Sequence, residues 1–181
     1  KRRGVLMIPA FSLERTQELL SIISKMMEER QIPKIPVFLD SPLSIKATAV
    51  YEKYLKKLLD EKRAYYCYCT KEELEEERQA MLASGMPPKY GGRCRELKTA
   101  PSGREPQVIR FMMPAQTVEF QDLIRGKMVF DSGFLGDMVI ARTAREPLYN
   151  FAVVADDWEM KISHVIRGED HLSNTPKQIL L

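Results

Sequence analysis

PLYNFAVVADDWEMKISHVIRGEDHLSNTP, residues 147–176, carries more ionisable and hydrogen-bonding side chains in one passage than folding requires. Inside it, residues 162–166 form a β-branched run with no helical period, which predicts a short buried strand, and Thr175-Pro176 opens a helix. Arg167-Gly168-Glu169-Asp170-His171 stands between the two. Charged residues at the carboxyl end of a buried strand face the crevice in which open α/β sheets bind their ligands. The stretch therefore predicts an α/β fold with a substrate site around Arg167.

Working outward, strand and helix signals alternate toward the amino terminus. Residues 5–10 predict a buried strand, and Ser12 caps a helix whose apolar positions Leu13, Leu19, Leu20, Ile23, Met26 and Met27 recur at helical spacing. Pro33 and Pro36 bracket a turn into a second strand, 37–39, after which Asp40-Ser41-Pro42 opens a helix running over 43–62. Two such β-α units predict parallel strands. Residues 64–69 read as a short aromatic-rich strand, and Thr70-Lys71-Glu72-Glu73 is a capping box for an acidic helix ending near Ser84-Gly85. Loops rich in Pro and Gly follow at 86–92 and 98–106. Short strands between turns at Gly126, Gly133 and Gly136 then predict an antiparallel insertion over 108–142.

Composition is that of an ordinary globular chain: 181 residues, 44% hydrophobic and 29% charged, which excludes fibrous and disordered classes. The net charge of +3 is unevenly placed. Residues 1–50 hold eight Lys/Arg against five Asp/Glu, whereas the rest hold twenty of each, so charge alone makes no case for a nucleic-acid face there. Three cysteines without a secretory context predict a reducing, cytoplasmic compartment and no disulfide framework. No apolar run is long enough to cross a bilayer, so no membrane partner is expected, and the initial Lys1 implies a further amino-terminal portion.

Particular residues carry chemistry. The guanidinium of Arg167 can hold a carboxylate through two parallel hydrogen bonds, which a lysine cannot match. Tyr149 offers an apolar body to close a pocket and a hydroxyl to bond a ligand, with Asn150 beside it. Glu169, Asp170 and His171 either contact a ligand or neutralise Arg167 and cap the following helix. Asp156 and Asp157, adjacent on a helix, point about 100° apart and cannot act as a paired acid and base. Cys67, Cys69 and Cys94 are a zinc half-site plus a third thiolate, or else three buried structural thiols.

Two resemblances follow. The phrases VLMIPAFSLERTQE (5–18) and IPVFLDSPLSIKAT (35–48) resemble part of the β-CASP region of metallo-β-lactamase-type RNA-processing nucleases. Those enzymes use a His-x-His-x-Asp-His metal run that this chain lacks, its only histidines being His164 and His171; Asp40 is the one candidate acidic site residue, with helix capping as its alternative. From about Tyr51 onward the phrases AYYCYCTKEE (64–73), PKYGGRCR (88–95), VIRF (108–111), YNFAVVADD (149–157) and HVIRGEDHLSNTPKQIL (164–180) resemble bacterial glutamyl-tRNA synthetase, a class I aminoacyl-tRNA synthetase.

The second resemblance implies a partial Rossmann-type ATP-binding domain, interrupted over about 64–145 by an α+β insertion that contacts the tRNA acceptor end and resumed over 146–181. It implies that Arg167, Tyr149 and Asn150 recognise glutamate, and that Glu169, Asp170 and His171 lie by the nucleotide. It implies ATP with Mg2+ as substrate, tRNA as partner and a monomeric enzyme. A structural Zn2+ on the three cysteines would take Tyr90, four residues before Cys94, or Glu96, two after it, as fourth ligand. No His-x-Gly-His or Lys-Met-Ser-Lys motif is present. The expectation is thus a joined fragment, 1–50 and 51–181, that recognises glutamate without completing adenylation. A relative that glutamylates a modified tRNA base, and an RNA-processing metallo-β-lactamase-type nuclease fragment or noncatalytic RNA-binding module led by residues 1–50, are the alternatives.

Overall fold

A computed structural model describes residues 13–37 and 42–181. The strand at 5–10, the caps at Ser12, Asp40 and Ser41, and most of the strand at 37–39 lie outside the described residues; Val37 itself has no regular structure. Helix α1 (Leu13–Glu28) precedes α2 (Pro42–Asp60), then β1 (Ala64–Cys67) and α3 (Lys71–Ala83). Strands β2 (Val108–Phe111), β3 (Thr117–Asp122), β4 (Gly126–Asp131), β5 (Val139–Thr143) and β6 (Glu146–Pro147) come next, followed by α4 (Tyr149–Glu159), a 3-10 turn (Glu169–Asn174) and α5 (Thr175–Leu180).

One sheet runs β1-β2-β5-β6 and β3-β4 forms a separate hairpin; every described pairing is antiparallel. The insertion read from the sequence over 108–142 therefore has the expected strand sense. The two-residue periodicity of β2 divides the sheet into faces. Ile109 and Phe111 enter the main core with Tyr51, Leu55, Ile140 and Phe151, while Val108 and Arg110 turn toward the cysteines. Each fully buried Leu, Ile or Phe contributes roughly 1.5–3 kcal/mol.

Helix α2 lies in this core because Ala47, Tyr51, Leu55 and Leu58 recur on one face at helical spacing. It packs on α4, where the Tyr51 hydroxyl donates to Asp156 Oδ2 at 3.0 Å. Burial raises the Asp156 carboxyl above its ordinary value, opposed by that hydrogen bond and assisted by neighbouring Asp157. Asp156 is thus a helix-to-helix tie. The Thr70 capping box starts α3 as its sequence signalled. Helices α1, α2 and α4 end with Arg30, Lys62 and Lys161 in the left-handed conformation, and in each the two residues of the closing turn bond back to the last helical turn.

The strand expected over 162–166 is not formed. That segment has no regular structure; Val165 is 56% and Ile166 96% exposed. A strand exists only as one side of a ladder, and among the described residues no strand lies beside this one. Its far end is nonetheless anchored. Arg63 donates to the carbonyl of Leu180 at 2.8 Å, and Leu180 reaches the core, so α5 is fixed to the end of α2.

Candidate functional site

Two clusters gather the residues singled out by sequence. The first lies where the irregular 162–168 segment meets α4 and α5. Arg167 donates from Nη1 to Gln178 Oε1 at 2.7 Å and from Nη2 to Thr175 Oγ1 at 2.6 Å. Gln178 in turn donates to Asn150 Oδ1 at 3.0 Å, so Asn150 and Arg167 belong to one relay. Both acceptors on Arg167 are neutral. They orient the guanidinium without cancelling its charge, and among the described residues no carboxylate forms an ion pair with it.

Tyr149 opens α4, and its hydroxyl lies 3.3 Å from His171 Nδ1, with the two rings 5.7 Å apart. Glu169 pairs instead with Arg125 in the β3–β4 turn, and Asp170 lies 3.6 Å from His171 Nε2. The acidic residues of the Gly168-Glu169-Asp170 passage therefore pair elsewhere than with Arg167. Tyr149 also borders a cleft of about 270 Å³ walled by Gln17 and Glu18 of α1 and by Arg142, Glu146, Pro147 and Leu148.

The second cluster is sealed. The sulfurs of Cys67, Cys69 and Cys94 all lie within 4.8 Å of one another, and all three residues are buried. Tetrahedral coordination at about 2.3 Å places thiolate sulfurs roughly 3.8 Å apart, and Cys69 and Cys94 stand at 3.6 Å. The Tyr90 hydroxyl sits against this group, 3.4 Å from Cys67 Sγ and 3.5 Å from Cys69 Sγ, and accepts the Cys94 N–H at 3.0 Å. Of the two oxygens proposed as fourth ligand, Tyr90 joins the thiols; exposed Glu96 is not in the group. The donor set fits a zinc ion.

Local structure explains the convergence. Cys67 ends β1 and Cys69 precedes the α3 cap, while the 86–97 loop brings Tyr90 and Cys94 across. That loop lies so close to Gly136 that a Cβ there would sit 2.8 Å from the Tyr90 nitrogen, so only glycine admits the approach. Burial pushes the Cys69 thiol up to about 12, opposed by the Tyr90 hydroxyl and reinforced by the neighbouring thiols. At Cys67 burial acts the same way but is outweighed by Tyr90 and Arg110, which hold it below its ordinary value.

Comparison with known proteins decides the family. The family model described as tRNA synthetases class I (E and Q), catalytic domain, matches residues 43–181. The chain belongs to that family. It is similar to the glutamate–tRNA ligase of Halalkalibacterium halodurans, 51% identical over 145 residues that make up 76% of this chain and 30% of the relative. It is similar also to that of Thermodesulfovibrio yellowstonii, 54% identical over 132 residues, 72% of this chain and 28% of the relative. Among solved structures it matches a glutamate tRNA ligase from Elizabethkingia meningosepticum in complex with its amino acid, with TM-score 0.64 and 28% identity over 89% of this chain and 36% of that one.

This class I synthetase chain thus spans about 30% of the length of the curated relatives it matches, and its mixed α/β architecture is that of a partial Rossmann-type synthetase domain. The match begins at residue 43, at the start of α2 and ahead of the boundary read at Tyr51. Among the described residues no helix is long and apolar enough to cross a membrane.

Sequence reading missed the residues that connect the antiparallel sheet to the cysteines. Asp137, whose side chain is fully buried, receives a two-pronged bond from Arg95, the hydroxyl of Tyr65 and the N–H of Met113 at 2.8 Å. Arg110 donates to the Asp137 carbonyl at 2.8 Å and lies 3.8 Å from the Tyr90 ring. The signal was available in VIRF, where a charged residue interrupts an apolar strand.

Proposed function

We propose that this chain is part of the catalytic domain of a cytoplasmic, monomeric glutamate–tRNA ligase, which activates glutamate with ATP and Mg2+ to an acyl-adenylate and transfers the glutamyl group to the terminal ribose of tRNA. The observation that carries the reading is Arg167: a half-buried cation held by two neutral acceptors beside Tyr149, in a chain about half identical to ligases of that name. An un-neutralised guanidinium of fixed orientation suits a carboxylate ligand. Arg167 binds a glutamate carboxylate, Tyr149 closes over it, and Asn150 holds the relay through Gln178. Glu169, Asp170 and His171 form the nucleotide side, with His171 linked to Tyr149. Rate enhancement then comes from positioning and charge stabilisation rather than from a covalent intermediate on the protein.

Residues 64–145 form the insertion that meets the tRNA acceptor end, and 146–181 return to the ATP-binding core; the packing of α4 on α2 supports this division, with β6 joining the two parts through its pairing to β5. Cys67, Cys69, Cys94 and Tyr90 hold one structural Zn2+, which when bound ties β1 to the 86–97 loop. Three free thiols in contact agree with a reducing compartment.

Equilibrium dialysis of the 181-residue chain against labelled glutamate tests the main reading. Binding of glutamate in preference to glutamine, lost in Arg167→Gln, is expected; no preference, or one unaltered by the substitution, refutes it. Zinc at one ion per chain, absent in Cys67→Ser, is the parallel test of the metal.

For residues 1–50 we propose descent from a β-CASP-type nuclease, on the phrases at 5–18 and 35–48; the synthetase family match, which starts at residue 43, leaves 1–42 uncovered. DNA reads spanning the codons for 47–57 test whether the two parts are joined in one gene; a break in coverage there counts against it.

A further inference from the structure

We propose that Arg110 is the built-in counter-cation of the cysteine–tyrosine metal site, a sealed guanidinium that compensates the excess negative charge of the thiolates and so retains the ion. The inference rests on the zinc reading above and adds a residue to it.

Strand alternation supplies the placement. Arg110 sits in β2 opposite Tyr65, and the next pair on the same face is Cys67 with Val108. The side chain therefore points to the cysteine face, where Arg110 is only 7% exposed. Its guanidinium covers the Tyr90 ring at 3.8 Å, and the Tyr90 hydroxyl touches Cys67 and Cys69 while accepting the Cys94 N–H.

Burying a guanidinium is costly unless a negative charge answers it. Among the described residues Arg110 forms no ion pair; its Nη1 bonds a neutral carbonyl, and its Nε is buried without a partner. Other arginines nearby are already committed, Arg95 to Asp137 and Arg104 to Glu73. The cation–π contact with Tyr90 is favourable, but a neutral ring supplies no negative charge to cancel the buried guanidinium. Three thiolates on a divalent ion leave about one negative charge, which is what the sheet lacks at that point. Arg110 acts through Tyr90 and Cys67 and is a positioning residue.

The test measures zinc affinity of the 181-residue chain by competition with a chromophoric chelator, for wild type, Arg110→Gln and Arg110→Lys. Co2+ replaces zinc in parallel, to read the thiolate-to-metal charge-transfer band. Loss of an outer partner of a metal site costs roughly 10–100-fold in affinity, and that loss is expected for Arg110→Gln. Arg110→Lys, which keeps the charge but not the planar fork, should stay within a few-fold of wild type and retain the cobalt band. If Arg110→Gln folds only with metal, it is refolded with zinc, and the chelator concentration that strips the ion should fall by the same factor. Equal affinity of wild type and Arg110→Gln overturns the proposal alone, as does equal weakening by Gln and Lys, which marks a packing role. Absence of zinc from wild type overturns the metal reading and this proposal together.

Discussion

Arg110 and Arg167 are both arginines without a carboxylate partner among the described residues, and their surroundings differ. Arg110 is closed in between a central strand and the Tyr90 ring, where no exchange with solvent ligands can occur without opening the fold. Arg167 lies in an irregular segment, half-buried, with Gln178 and Thr175 fixing its direction. A sealed cation calls for a resident anion, whereas an accessible and oriented one suits an anion that comes and goes. On the proposals above, the contrast separates a structural site from a recognition site by burial alone, although both use the same side chain.

The sharpest way to break this contrast is to open the sealed face. Asp137→Ala strands Arg95, the Tyr65 hydroxyl and the Met113 N–H at once, and should lower stability by about 3–5 kcal/mol in urea unfolding. Acid should act in the same direction. Burial raises the Asp137 carboxyl, but Arg95, Tyr65 and the Met113 N–H outweigh it and hold it below the usual carboxylate range. Its folded-state value is therefore depressed, so its contribution is complete above the unfolded value of about 3.9 and is lost as pH falls through the folded one. Unfolding free energies of wild type and Asp137→Asn, compared from neutral pH downward through the folded-state titration of that carboxyl, should converge as it protonates.

At the open site the effect should appear in binding and spare the fold. Arg167→Gln is expected to reduce glutamate affinity by about 1.5–3 kcal/mol while moving the urea midpoint little, because its partners are neutral and only partly buried. A large loss of stability in this variant would place Arg167 with Arg110 as a structural cation. Smaller effects sharpen the boundary of the cysteine region. Thr70→Ala removes the cap of the helix that follows Cys69 and should cost about 1 kcal/mol, read by thermal melting monitored by circular dichroism. Lys62→Gly relieves a left-handed lysine at the end of α2, φ 57°, and should raise stability by roughly 0.5–1 kcal/mol in the same assay.

Much of this was legible in residue order. The Thr70–Glu73 box, the length of α2, the antiparallel strands between glycine turns and the helix start at Thr175-Pro176 are local signals, each decided within a few residues. The group formed by Cys67, Cys69, Cys94 and Tyr90 was legible as spacing, although the choice of Tyr90 over Glu96 required the loop's path past Gly136. Residues 162–166 were misread because β-branched composition predicts extended backbone, and extended backbone becomes a strand only beside another. Asp137 and Arg110 escaped notice because their partners lie 20 to 72 positions away in sequence.

The sequence by itself determined the helices, the hairpins and the residues able to bind a carboxylate or a metal, since caps, periodicity and donor chemistry are local properties. Only the tertiary structure decided which arginine is sealed and which is accessible. That distinction depends on what the strand register places opposite Arg110 and on what α5 offers to Arg167, and neither is written in the neighbouring residues.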